Sequence, residues 1–276
     1  MLFLFRKLPQ AMLKDPQAWI THIESWNNYF LFSIDSPEIA GEAKPGQFLM
    51  IKVNDSPYPL LRRPFSIHSR SKGIIEIFFM VSGQGTSLLA EKKTNEPLDI
   101  LGPLGKGFRF DCGLKGKTAY LVGGGRGIAP LFFLAQELQS QGTTVKTFYG
   151  GQCLKDLPLR EKFQKAGLEL SCSSDDGSFG FRGFVSDLFL TCLEKDEPAA
   201  IFSCGPDPMM AKVARLALAR NIPAQFSLES HMGCGFGACW GCVRRIKRSG
   251  DESWVKICEE GPAFKAEEIV WAEEER

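Results

Sequence analysis

The stretch TAYLVGGGRGIAPLFFLAQELQ, residues 118–139, reads as a buried strand, a glycine turn and an apolar helix. Thr118–Val122 is the strand, Gly123-Gly124-Gly125-Arg126-Gly127 the turn, and Pro130–Gln139 the helix. In such a unit the N–H groups at the helix start face the turn and can receive a pyrophosphate. Gly123, Gly124, Gly125 and Gly127 are therefore candidate dinucleotide-binding positions. The spacing departs from G-x-G-x-x-G, because Ile128 and Pro130 stand where the third glycine would fall. A plain tight turn is the competing reading. Arg126 either adds charge beside a phosphate or points to solvent.

C-terminal to this unit, strand and helix alternate. Val145–Tyr149, Leu168–Ser173 and Ala199–Cys204 read as strands; Leu157–Ala166, Val185–Leu193 and Pro208–Arg220 read as helices. That grammar predicts an α/β domain with a parallel sheet over residues 114–225. Ligands of open parallel sheets bind at the carboxyl edge. Two further strand ends lie there: Cys204-Gly205-Pro206-Asp207, and Ser173-Ser174-Asp175-Asp176-Gly177. Carboxylates such as Asp175 suit free ribose hydroxyls and repel a 2′-phosphate, which favours NAD over NADP. The alternative is that the acidic pair only caps its loop.

N-terminal to the unit, Phe30–Ile34, Gln47–Val53, Phe65–His68 and Ile74–Val81 have strand length and β-branched or aromatic content, with turn residues between them. They predict a small antiparallel β-barrel over residues 14–113. Within it, Arg63-Pro64-Phe65-Ser66 can grip a phosphate and line a flat ring. Gly83-Gln84-Gly85-Thr86-Ser87 reads as a glycine turn into a helix, a second anion-competent element. Taken alone, Arg63 is equally readable as a surface arginine.

From about Phe226 the chain is rich in glycine and cysteine and ends in a charged stretch, Glu267–Arg276, so residues 226–276 read as a third, small domain. Cys234, Cys239 and Cys242 follow C-x4-C-x2-C, with Cys258 after 15 intervening residues, the plant-type two-iron, two-sulfur spacing. The interleaved glycines let a tight loop bend around a small cluster. A structural zinc site prefers two C-x2-C pairs, and a C-x2-C redox motif leaves Cys234 and Cys258 unexplained. The other five cysteines (Cys112, Cys153, Cys172, Cys192 and Cys204) read as buried apolar residues.

Composition bounds the rest. In 276 residues, 33 Lys plus Arg balance 32 Asp plus Glu, a net charge of +1, which removes the footprint of a nucleic-acid binder or polybasic membrane anchor. The most apolar segment, Ala119–Ala135, carries glycines, a proline and Arg126 and does not read as a membrane span. The N-terminus MLFLFRK is apolar before it is basic, the reverse of a signal peptide, so a cytoplasmic location is expected. Three histidines and no acid–base constellation leave no catalytic side chain to name.

RRPFSI (62–67), GQGTSLL (83–89), LGPLGKGF (101–108), GGGRGIAPL (123–131), CGPDPMM (204–210) and CGFGACWGCV (234–243) occur in that order. With these motifs the chain resembles ferredoxin-reductase-type flavoproteins carrying a C-terminal two-iron cluster. More closely, it resembles the electron-transfer subunits of NAD-dependent (class 1B) dihydroorotate dehydrogenases. SLESHMGCGFGACWGCV (227–243) and ICEEGPAF (257–264) are the most specific parts of a likeness running from about Trp19 to Trp271. The resemblance implies FAD held by Arg63, Pro64, Phe65 and Ser66, with its pyrophosphate at Gly85, Thr86 and Ser87. It implies NAD at Gly123–Gly127, with Cys204 and Gly205 near the nicotinamide, and a two-iron two-sulfur cluster on Cys234, Cys239, Cys242 and Cys258. It further implies an FMN-containing catalytic partner that oxidises dihydroorotate in pyrimidine biosynthesis, joined with this chain in a heterotetramer. Lys106, Arg126 and His231 depart from the pattern, where asparagine, a small or apolar residue, and arginine are common. Homologous subunits serve other acceptors such as sulfide, polysulfide or ferredoxin, which is the rival reading. A lone NADH-consuming enzyme and a non-enzymatic redox sensor are more distant ones.

Overall fold

The computed structural model describes residues 12–110 and 112–271. The Met1–Lys7 segment, the side chain of Cys112 and the last residues of the charged stretch, from Ala272 on, lie outside the described residues.

Six strands close an antiparallel barrel in the order β1-β2-β5-β4-β3-β6. They are β1 (Leu13–Trp26), β2 (Tyr29–Asp35), β3 (Phe48–Lys52), β4 (Arg63–Ser71), β5 (Ile74–Met80) and β6 (Pro97–Leu104). Two short helices, α1 (Pro37–Glu42) and α2 (Gln84–Ala90), lie in the β2–β3 and β5–β6 connections. The inward-facing Ile20, Phe32, Ile34, Leu49, Ile51, Ile67, Ile75 and Ile77 are fully buried, so the barrel is filled by side chains. Four strands match the sequence pattern; β1 and β6 do not announce themselves. Pro16 interrupts β1, and the β1–β6 register shifts between Asp15 and Ala18 to accommodate it, as proline in a sheet requires.

The second sheet has the order β10-β9-β8-β7-β11-β12-β15. Its strands are β7 (Thr118–Gly124), β8 (Thr144–Gly151), β9 (Glu169–Ser174), β10 (Phe181–Arg182), β11 (Ala200–Cys204), β12 (Ala224–Ser227) and β15 (Ala263–Lys265). All neighbours are parallel except β15, which runs antiparallel to β12. Helices α3 (Ala129–Ser140), α4 (Arg160–Lys165), α5 (Val185–Leu193) and α6 (Asp207–Ala219) make the crossovers. The helix expected over Leu157–Ala166 is shortened to α4, because Pro158 holds Leu157 out of helical conformation. The glycine turn continues from β7 into a single 3-10 turn, Gly125–Ile128, before α3 begins.

Almost every side of α3 is apolar for a structural reason. Leu131, Phe132 and Leu134 pack into the core beneath the sheet, while Phe133 enters the barrel core. A helix clad on all sides in this way is buried between two bodies. His68 of β4 fixes the junction: it stacks on Phe132 with centroids 4.6 Å apart and bonds the Ala129 carbonyl through Nδ1 at 2.9 Å.

The remaining chain forms a hairpin, β13 (Val243–Arg248) with β14 (Asp251–Lys256), followed by α7 (Ile257–Glu260) and β15. Phe48 and Met50 of the barrel, Phe226 and Phe264 of the sheet, and Cys242 and Cys258 share one core. Among the described residues no helix is long and apolar enough to cross a membrane.

Candidate functional site

The parallel sheet reverses direction of growth at β7: β8 lies on one side and β11 on the other. The crevice over the carboxyl ends of β7 and β11 is where open α/β sheets take ligands. It is a groove of about 780 Å³ whose lining includes Gly124, Gly125, Arg126, Gly127, Asp175 and Gly205. Gly127 makes its floor. A Cβ there would stand 2.2 Å from the Cys204 carbonyl oxygen and 2.6 Å from the Gly205 Cα, so the two loops touch backbone to backbone. Gly123 and Cys204, singled out with these residues, lie beneath the groove and do not line it. The Cβ position of Gly123 is taken by Ile128, and burial lifts the Cys204 thiol well above its ordinary range.

The acidic pair divides. Asp176 accepts from the Ser178 N–H at 2.8 Å and caps its own loop. Asp175 faces the groove, its carboxyl raised by burial and by the charges of Asp176 and Asp156. Tyr29, which the sequence reading passed over, reaches the same groove from the barrel and donates to Asp156 Oδ1 at 2.9 Å. It lies far upstream in the sequence on a strand of another sheet, and no local pattern marks it.

A second groove runs along β4, lined by Arg63, Pro64, Phe65, Ser66, Thr86 and Arg126 among others. The two adjacent arginines have different tasks. Arg62 pairs with Asp99 at 2.6 Å and is structural. Arg63 has no ion pair among the described residues and lies over Gly85, where a Cβ would stand 2.5 Å from its Nε. Gly85 thus leaves the guanidinium room beside the first turn of α2. The hydroxyls of Thr86 and Ser87 turn back on that turn. Thr86 Oγ1 accepts from the Ser82 and Gly83 N–H groups at 2.9 and 3.1 Å, and Ser87 Oγ donates to the Gly83 carbonyl at 3.2 Å. Both hydroxyls shape the turn and are already engaged. Arg126 lines both grooves and reaches Ser82 Oγ at 3.4 Å.

The cysteine loop sits against the barrel: a Cβ at Gly235 would collide with Met50. Its thiols stand as two pairs, Cys242 with Cys258 at 3.2 Å and Cys234 with Cys239, and no tighter group of three forms among the described residues. Backbone N–H groups already point at the sulfurs, from Gly237 to Cys258 at 3.1 Å and from Ala238 to Cys234 at 3.3 Å. Burial raises the Cys234 thiol, but N–H donors from Phe236, Cys239 and Ala238 outweigh it and hold it down at about 7. Cys258 is pushed up to about 12 by burial and by its bond to Cys242. Four thiols in plant-type spacing, with N–H groups directed at sulfur, have the chemistry that a two-iron, two-sulfur cluster requires of its ligands. Of the other cysteines expected to be buried, Cys204 is fully so, while Cys153, Cys172 and Cys192 are half-buried; Cys112 lies outside the residues whose side chains are described.

The loop and the β4 groove are neighbours. Ser227–Ser230 and Met232, which lead into the loop, form one wall of the groove, and Leu61 lies beside Gly233. The three sites form a continuous series across the molecule, from the sheet edge over β4 to the cysteines.

Comparison with known proteins agrees with this arrangement. Residues 229–270 match the iron-sulfur cluster binding domain of dihydroorotate dehydrogenase B, and residues 121–215 match an oxidoreductase NAD-binding domain. The electron transfer subunit of dihydroorotate dehydrogenase B (NAD(+)) from Desulforamulus reducens is 36% identical over 93% of this chain and 98% of its own. That from Enterococcus faecalis is 40% identical over 82% of this chain and 87% of its own. Among solved structures, an NADH-dependent reduced ferredoxin-NADP oxidoreductase superposes with a TM-score of 0.78 at 29% identity, covering 92% of this chain and 90% of that one. A ferredoxin NADP+ reductase from Neisseria gonorrhoeae with bound FAD and NADP shares the fold, at a TM-score of 0.62 and 17% identity over 75% of this chain and 91% of its own. By sequence likeness over nearly its whole length, the chain belongs to the family of dihydroorotate dehydrogenase B electron transfer subunits.

Proposed function

We propose that this chain carries electrons from an FMN-containing, dihydroorotate-oxidising partner to NAD, within pyrimidine biosynthesis. The observation that carries the reading is the shared wall between the β4 groove and the cysteine loop, with the sheet-edge groove adjoining through Arg126. FAD would lie along Arg63, Pro64, Phe65 and Ser66, with Arg63 and Gly85 at its phosphates and Thr86 and Ser87 shaping the turn that faces them. NAD would lie over Gly124, Gly125, Gly127 and Gly205, with Asp175 toward the adenosine ribose and Gly123 and Cys204 supporting the floor from below. Cys234, Cys239, Cys242 and Cys258 would hold the two-iron cluster. A bound flavin supplies the exchange between two-electron hydride and single-electron transfer, and a bound cluster takes one electron at a time. The chain's own residues position these groups and keep water from them; the acid–base work on dihydroorotate belongs to the partner.

The residue ranges 14–113, 114–225 and 226–276 then serve as flavin, nucleotide and cluster units. Strand β12 crosses the second boundary and β15 returns to the nucleotide sheet, tying the cluster unit to it. The assembly is a heterotetramer with two copies of each subunit, in the cytoplasm. The unpaired thiols suit that compartment.

The test is an anaerobic pull-down of the tagged chain from its native cells, followed by addition of dihydroorotate and NAD. NADH formation is the expected result. A second reading, with ferredoxin as the partner, is favoured by the likeness to the ferredoxin-NADP oxidoreductase. A sample that makes no NADH from dihydroorotate but exchanges electrons with ferredoxin supports it.

A further inference from the structure

Lys256 ends β14 two residues before Cys258, and its side chain is 17% exposed. Its ammonium donates to the Gly237 carbonyl at 2.8 Å, lies 4.8 Å from the centre of the Trp240 indole, and pairs with the Glu259 carboxylate. These contacts join the cysteine loop to the segment that delivers the fourth thiol. The Gly237 carbonyl belongs to the peptide whose N–H is that of Ala238, and that N–H donates to Cys234 Sγ at 3.3 Å. The N–H of Gly237 itself donates to Cys258 Sγ at 3.1 Å. One ammonium is thus linked through one glycine to two of the four sulfurs. Position 237 favours glycine, since its φ is +91° and a Cβ would displace the Glu259 carboxylate from its place. Hydrogen bonds in series polarise one another, so a charge on the carbonyl side of a peptide strengthens the bond its N–H makes.

We propose that Lys256 is a positioning residue for the iron–sulfur centre, which ties Gly237, Trp240 and Glu259 together and, through the Gly237–Ala238 peptide, favours the reduced state. One-electron reduction adds one negative charge to the sulfur cage; no bond to the protein breaks and no proton is needed for balance. The electron comes from reduced flavin, or in the test from a low-potential chemical reductant. Hydrogen bonds to sulfur and the local net charge set the potential of such centres. The proposal rests on the reading of the four cysteines as cluster ligands.

The experiment is an EPR-monitored anaerobic redox titration of the full chain with its cluster, with iron counted, for wild type, Lys256→Met, Lys256→Gln, Lys256→Arg and Glu259→Gln. Lys256→Met keeps the stem and loses the charge. It is expected to shift the equilibrium about tenfold toward the oxidised state, about 59 mV for a one-electron couple. Lys256→Arg shifts it less, and Glu259→Gln shifts it the other way by freeing the ammonium of its counter-charge. An unchanged midpoint in iron-replete Lys256→Met overturns the proposal. If that variant does not hold iron, Lys256→Gln decides: a lowered midpoint supports the proposal, and an unchanged or raised one overturns it. Wild-type chain without iron–sulfur absorbance removes the ligand assignment itself, and the proposal with it.

Discussion

Replacing Gly127 with alanine is the sharpest probe of the sheet-edge groove. The added methyl would lie 2.2 Å from the Cys204 carbonyl oxygen and 2.4 Å from its carbon, both backbone atoms. Real Cβ contacts keep at least 3.0 Å, so the glycine turn and the Cys204-Gly205 loop must separate by about 0.8 Å. Neither side can yield by rotating a side chain. Overpacking of this kind costs about 1–3 kcal/mol. If the groove takes NADH across those two loops, their separation misplaces the N–H groups that receive it, and the loss of one such hydrogen bond, about 0.5–1.5 kcal/mol, weakens binding by about 2- to 12-fold. Calorimetric titration with NADH reads the affinity, and the melting temperature should fall by about 2–4 °C for each kcal/mol lost. A Gly127→Ala chain that binds NADH within twofold of wild type and melts at the same temperature refutes the assignment of this contact as the floor of the site.

Other consequences are as direct. His68 is fully buried, and burial drives its imidazole down from 6.5 to about 4. The unfolded chain therefore takes up a proton that the folded chain refuses. Stability is full above pH 6.5 and falls as pH drops toward 4, by about 2 kcal/mol between pH 7 and pH 5. His68→Gln should flatten that dependence in urea denaturation, and an unaltered slope would show that the loss arises elsewhere. Arg63→Ala should strip FAD on dialysis while leaving the fold intact. Arg62→Ala should instead cost about 1.5–3 kcal/mol of stability, through the loss of Asp99's partner, and a reversal of the two phenotypes would exchange their roles. Asp175→Ser should raise NADPH use relative to NADH more than Asp176→Ser does, since Asp176 only caps its loop; equal effects would remove the ribose assignment.

Much of this was legible in the residues, and the limits have physical causes. The parallel sheet is readable because strands buried on both faces are continuous apolar runs, as in Thr118–Val122 and Ala200–Cys204. Strand β1 is not, because Pro16 sits at a register shift and most of its side chains face solvent. The cysteine spacing points to an iron–sulfur segment because such a loop is local in sequence, and residues 229–270 match an iron-sulfur cluster binding domain. Which of two neighbouring arginines is held in an ion pair was not legible, because it depends on Asp99, thirty-seven residues away from Arg62; Arg63 only donates to the nearby Leu61 carbonyl. Tyr29 and Lys256 escape for a similar reason: their partners are brought to them by the closing of the barrel and by the β13–β14 hairpin. The glycine turn was readable as an anion-competent element and the family resemblance put Thr86 and Ser87 at a pyrophosphate, while the structure shows their hydroxyls engaged with the turn itself.

The central claim is that electrons pass between the nucleotide groove and the cysteine loop by way of β4. An anaerobic titration of the purified chain with NADH tests it, with flavin absorbance and the EPR signal of the reduced cluster followed together. The account predicts that NADH bleaches the flavin and produces the cluster signal in wild type, and that Cys239→Ser retains only the flavin response. A wild-type chain whose flavin bleaches while an intact, chemically reducible cluster stays silent would contradict it.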